Sequence, residues 1–173
     1  MVLKSVQAKA LTAGVLLVPA QSKRHARELG RIMRAADRTE ILASGGMEPH
    51  KAVRASINHQ YGAEAWAGYV GGDLLAVFGV VDFPTGWAAP WLMSSIYVDR
   101  YPLTFWRASR VIVADIRERY PKMVQMVYAG YGNALRWAGR LGFKVEEPVR
   151  FGKENTLFCR ISMETPKLIL EVR

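Results

Sequence analysis

Apolar positions along the chain follow two periods. Residues 15–20, VLLVPA, form a short apolar run that reads as a first core strand. Ser22 is a fair N-cap for the stretch KRHARELGRIMRAADRTEILA, where Leu29, Ile32, Met33, Ala36, Ile41 and Leu42 recur at helical spacing. The Ser-Gly-Gly at 44–46 closes that region. EPHKAVRASINHQY, with Pro49 in its first turn, predicts a second helix. The period then drops to two. Residues 63–70 and 74–83 flank a Gly-Gly-Asp turn and predict a hairpin, and 91–98 supply a third strand. DRYPLTFW leads into a helix from Arg107 that Pro121 ends, and 122–130 read as a buried strand. YGNALRWAGRLGF (131–143) is a polar turn, a helix and a Gly-Phe stop, and KVEEPVRF and NTLFCRISM make a last antiparallel pair.

The resulting order, β-α-α-β-β-β-α-β-α-β-β, predicts an α/β fold of the α+β kind, a mixed sheet with helices on its faces. Residues 1–13 read as a flexible N-terminal arm and 14–173 as a single domain. The 173 residues are 50% apolar and 23% charged, which suits one well-buried core. Cys159 is the only cysteine and sits in a strand-like alternation, so a buried, inert thiol is expected. His25, His50 and His59 match no metal-ligand spacing, so no metal site is expected. The longest apolar run, residues 10–20, is short of the ~20 residues that span a bilayer.

A net charge of +9 favours contact with something anionic, or solvated basic faces. Lys23, Arg24, Arg27, Arg31, Arg34 and Arg38 recur at i, i+3, i+4 and i+7 intervals, with Glu28, Asp37 and Glu40 as a partial balance. No base-reading motif accompanies them, so DNA contact through this face would be sequence-independent.

The element order and NALRWAGRLGF resemble the GNAT superfamily of N-acetyltransferases. More narrowly, ADRTEILASGGMEPHKAVRASI, AWAGYVGGDLLAVFGVV, WLMSSIYV and ALRWAGRLGFKV are similar to a tailed-bacteriophage family with a GNAT-like fold that includes internal virion protein A of short-tailed phages. The resemblance spans roughly residues 28–164. It implies a GNAT-like acyl-CoA N-acyltransferase fold, other virion proteins as partners in a multi-copy assembly, and a place in the virion, with assembly in the host cytoplasm.

GNAT enzymes hold the CoA pyrophosphate in a Gln/Arg-x-x-Gly-x-Gly/Ala loop before a helix, where free backbone N–H groups cradle the anion. The matching segment here is RYPLTF. Arg100 keeps the first position, Leu103 and Phe105 replace the small residues, and Pro102 lacks an N–H. Losing a hydrogen bond to a charged group forfeits ~1.5–3 kcal/mol. Relatives commonly carry a pantetheine-holding Asn at the position of Tyr131, with Asn133 as a substitute after a register change. They also carry a thiolate-protonating Tyr at the position of Ala138.

These departures lead to the expectation of a degenerate, non-catalytic GNAT-like virion or assembly protein with no cofactor. Its interaction surface would be Arg24, Arg27, Arg31, Arg34, Trp87, Phe105 and Trp106, the aromatics forming an exposed patch. The alternative is an acetyl-CoA-dependent N-acetyltransferase with a divergent loop. In that case Tyr97, Val98, Arg100, Asn133 and the backbone of Ser95 to Val98 would hold the cofactor, with Asp99 or a water as base. Asp82, Glu146 and Glu147 are weaker candidates for the base, read as turn and loop residues.

Overall fold

Two glycines with positive φ, Gly71 (57°) and Gly72 (91°), turn the chain between two strands of a seven-stranded sheet, as the hairpin reading expects. The computed structural model describes residues 2–165. Its elements are helix α1 (Val2–Thr12), strand β1 (Leu16–Pro19), helices α2 (Ser22–Ile32), α3 (Ala35–Gly45) and α4 (Pro49–Ile57), and strands β2 (Ala63–Val70), β3 (Asp73–Asp82) and β4 (Ala88–Ser94). A 3-10 turn (Ile96–Arg100) leads to helix α5 (Pro102–Arg119), strand β5 (Lys122–Tyr128), helix α6 (Gly132–Arg140) and strands β6 (Lys144–Phe151) and β7 (Thr156–Glu164). The sheet order is β1-β2-β3-β4-β5-β7-β6, antiparallel except for β4 beside β5.

One apolar cluster lies under α1, α5 and α6 and includes Trp66, Ile112, Ile116, Met123, Ala138 and Phe143. A second, on the opposite face under α2, α3 and α4, includes Leu29, Met33, Ile41, Val53 and Val77. Trp137 and Leu141 pack against the first cluster beside Phe143 and so dock α6 on the sheet. Cys159 is a free, buried thiol in β7.

Four expectations change. Residues 2–12, read within a flexible arm, form α1, whose Ala10 is fully buried and whose Lys9 pairs with Asp115 at 3.3 Å. The long helix from Ser22 is two helices, because Met33 and Arg34 are extended and Met33 bridges Ser95 in antiparallel fashion. The third strand begins three residues early and ends at Ser94. Pro90 is tolerated within it because the Ser95 amide points at Leu75 of β3, so amides at even positions face away from β3, and Pro90 lacks only an amide on the β5 side. Finally, α5 starts at Pro102 rather than Arg107, with proline at the helix start, where its missing N–H removes no intrahelical bond.

Gly79 of β3 has Trp91 and the Glu64 carbonyl against its Cα, with no room for a side chain. Gly79→Ala should destabilise the protein by about 1–3 kcal/mol. An unchanged urea midpoint would show that the sheet yields there.

Candidate active site

Strands β4 and β5 are in register at Ala88 and Met123 and then part. Beyond that point each presents backbone groups to a gap rather than to a neighbour. Within the gap Gln125 reaches back across, donating from Nε2 to the Pro90 carbonyl at 3.1 Å. At its mouth the work passes to α3. The Asp37 carboxylate accepts from the Ser94 amide (3.0 Å), the Ser94 hydroxyl (2.9 Å) and the Tyr131 hydroxyl (3.2 Å). One helical turn on, Glu40 accepts from the Tyr128 amide of β5 at 3.2 Å. The amide of Arg34 donates to the Ser94 carbonyl at 3.0 Å. Two carboxylates spaced i, i+3 on one helix thus cap the facing amides of both diverging strands.

Their environment sets their protonation. Burial raises Asp37 above the usual carboxylate range, opposed by its bonds from Ser94 and Tyr131 and by the Arg34 charge. Glu40 is pushed up to about 7, by burial first and then by the neighbouring Asp37. Tyr131 is pushed up to about 12 by burial and by Asp37, so its phenol keeps its proton and serves as a donor. Arg34 stands over the Tyr131 ring at 5.9 Å and pairs with Asp99 at 3.2 Å.

The two carboxylates differ in spare capacity. Asp37 is buried and accepts three hydrogen bonds. Glu40 is half-buried and accepts one, which leaves lone pairs for a further donor and a route for protons to solvent.

The expected site residues are dispersed around this centre. Asp99 is not the buried acid: its side chain is 70% exposed and held by Arg34. Tyr97 and Arg100 are in the 3-10 turn, with the guanidinium 5.1 Å above the ring and bonded to Asp73 at 2.8 Å, and Val98 is buried beneath them. Asn133 is exposed on α6 and accepts from Arg136, so it does not substitute in the site; Tyr131 itself is the residue that enters it.

The aromatic patch does not form. Trp87 lies just before β4 between Lys122 and Arg160, at the opposite end of that strand from Phe105 and Trp106. Phe105 stacks on Trp137 at 5.9 Å. The break after Ile32 takes Arg34 off the basic face, leaving Arg24, Arg27 and Arg31 exposed on α2.

RYPLTF also differs from its reading as an obstructed loop. Leu103 is 68% exposed and Phe105 is turned onto Trp137, so neither side chain closes over the helix end. The amides of Leu103 and Thr104 in the first turn of α5 have no hydrogen-bond acceptor among the described residues. The buried indole N–H of Trp137 has none either.

No family model and no curated protein sequence matches the chain. Solved structures do. A probable GNAT-family acetyltransferase from Chromobacterium violaceum superposes with a TM-score of 0.65 at 16% identity, over 87% of each chain. The fold is that of the GNAT acetyltransferases. A ribosomal-protein-alanine N-acetyltransferase from Brucella melitensis matches with a TM-score of 0.65 at 9% identity, over 87% of this chain and 99% of that one. The ribosomal L7/L12 α-N-protein acetyltransferase RimL, solved with coenzyme A, matches with a TM-score of 0.63 at 11% identity, over 87% of this chain and 94% of that one. The expectation of no cofactor is therefore corrected. The GNAT neighbours are acetyltransferases, one of them holding CoA.

A carboxyl whose pKa rises on folding binds its proton more tightly in the native state. Stability therefore falls as pH rises from 4.5 toward about 7, and the full penalty is present above that. Glu40→Gln keeps an acceptor for the Tyr128 amide and removes the charge. At pH well above neutrality it should stabilise the protein by about 1–3 kcal/mol, and the difference should vanish in mild acid. Thermal unfolding of both proteins across pH would reveal a flat difference if Glu40 did not titrate in this way.

Proposed function

We propose that the protein is an N-acetyltransferase that transfers an acetyl group from acetyl-CoA to an amine, with Glu40 as the general base. The observation that carries this is the half-buried Glu40 carboxyl, pushed up to about 7 and only singly hydrogen-bonded, at the mouth of the β4–β5 gap in a sheet with the GNAT fold. A general base works best with a pKa near the operating pH, where it is ionised often enough and still basic enough. Glu40 would accept the proton of a bound ammonium. Asp37 would raise the pKa of Glu40 and stay fixed by Ser94 and Tyr131. The Leu103 and Thr104 amides, with Arg100 nearby, would hold the phosphate end of acetyl-CoA. When bound, acetyl-CoA supplies the activated thioester. The chain's own groups supply position, a proton acceptor and a site partly closed to water.

A second reading is a phage virion or assembly protein built on this fold. Arg34 and Asp37 occupy the Ser94 carbonyl and amide, so the chain satisfies its own gap without a ligand. In that role Arg24, Arg27 and Arg31 would face other virion proteins or packaged DNA, within the particle and, during assembly, in the host cytoplasm.

Titration calorimetry with acetyl-CoA and desulfo-CoA separates the two. Binding, followed by acetyl-CoA-dependent thiol release with a panel of amines, is the expected result. The rate should rise with pH through about 7 as Glu40 ionises. Glu40→Gln should lower kcat by about 10²–10⁴-fold while leaving acetyl-CoA affinity near the parent value. No detectable binding at millimolar ligand would sink the enzyme and leave the assembly reading.

A further inference from the structure

Two adjoining cavities of about 710 and 680 Å³ run along the outer face of α2 and share Lys23, Arg27 and Arg31. The first extends over Arg24 to Asp73 and Tyr97, and the second reaches His50 and Arg54 on α4. Lys23, Arg27 and Arg31 are four residues apart, so their side chains line one helix face over about 12 Å. Lys23, Arg27, Arg31 and Arg54 have no acidic partner among the described residues, and Arg24 reaches only Glu28, at 3.9 Å. Just beyond Arg31 the chain breaks into Met33 and Arg34, and Arg34 stands over Tyr131 at the mouth of the gap.

We infer that this groove binds an acidic polypeptide, the flank of an acceptor whose amine is presented to Glu40. The acceptor role rests on the acetyltransferase reading; the ligand class of the groove does not. Three features favour a polypeptide over a nucleic acid. The first cavity carries two acids of its own, Glu28 accepting from the Tyr69 hydroxyl at 3.1 Å and Asp73 accepting from Arg100 at 2.8 Å. These repel a continuous phosphodiester backbone but can accept from peptide N–H groups, which phosphates lack. Its one aromatic ring, Tyr97, is covered by Arg100 and offers no platform for stacking bases. The cationic helix also packs on the same face of the sheet as α3, whose Glu40 would need a basic amine, and an N-terminal or lysine amine supplies one where a nucleobase amino group does not.

The test is fluorescence anisotropy, without acetyl-CoA, using a dye-labelled peptide with a free N-terminal alanine followed by glutamates. A glutamine counterpart and an oligothymidylate of equal length serve as competing probes. The acidic peptide should bind, the glutamine peptide should not, and Arg27→Glu with Arg31→Glu should weaken binding about tenfold or more. Arg140→Glu, an exposed change on α6, should leave binding unchanged. Circular dichroism melts confirm that each variant is folded, and the substituted side chains are all solvent-facing. Oligothymidylate binding as tight as the acidic peptide, or peptide binding indifferent to the double reversal, would overturn the assignment. Absence of turnover on every amine, with peptide binding intact, would remove the acetyltransferase reading and leave the groove standing.

Discussion

Two parallel strands that separate after one registered pair leave backbone groups facing an opening. A buried amide without an acceptor costs about 1–3 kcal/mol, so the opening has to be satisfied from somewhere. This chain draws on its own α3, whose Asp37 and Glu40 reach the Ser94 and Tyr128 amides. The rest of the site follows from that solution. Placing two carboxylates a helical turn apart at the edge of a core makes the charge of each costly and raises both. The backbone need created by the sheet and the chemistry available to the site therefore have one origin.

Much of the fold could be read from period and turn chemistry. The Gly-Gly turn, the start of α4 at Pro49 and the docking residues of α6 are local signals, and local geometry decided them. The site was much less legible. Asp37 and Glu40 stood in the sequence as acids balancing a row of arginines on one long helix. The break at Met33 and Arg34 resets the helical phase, and it is specified by a long-range bridge to Ser95 that no local propensity encodes. A usable signal was present nonetheless. Asp37, Glu40 and Ile41 share one face by their i, i+3, i+4 spacing, and Ile41 belongs to the apolar set. An acid on the apolar face of a helix is a stronger pointer than an acid at the end of a strand, which is where Asp99 drew the base assignment.

The RYPLTF segment teaches a related point about reading loops by residue type. Glycine matters in a phosphate loop because it leaves backbone amides uncovered. A leucine whose side chain points into solvent leaves them uncovered as well. Proline likewise removes a donor only where that donor would have been used, and at the start of α5 the next two amides remain free. Whether a bulky residue blocks a site depends on the direction of its Cα–Cβ bond, which the helix start fixes and the letter does not.

On the acetyltransferase reading, the basic groove and the paired carboxylates would act on the same proton. An amine attacks a thioester only when neutral, and a neighbouring cation lowers the pKa of an ammonium. With Arg31 on the groove and Arg34 above Tyr131, an amine entering along α2 would move through positive potential before it meets Glu40. An acidic flank would compensate that potential for the acceptor as a whole, held along Lys23, Arg27 and Arg31, while the amine at its end still feels the local arginine. The arrangement thus separates attraction of the chain from deprotonation of its terminus. A small free amine has no flank to offset the repulsion, so on this reading the protein selects for amines carried on acidic polypeptides.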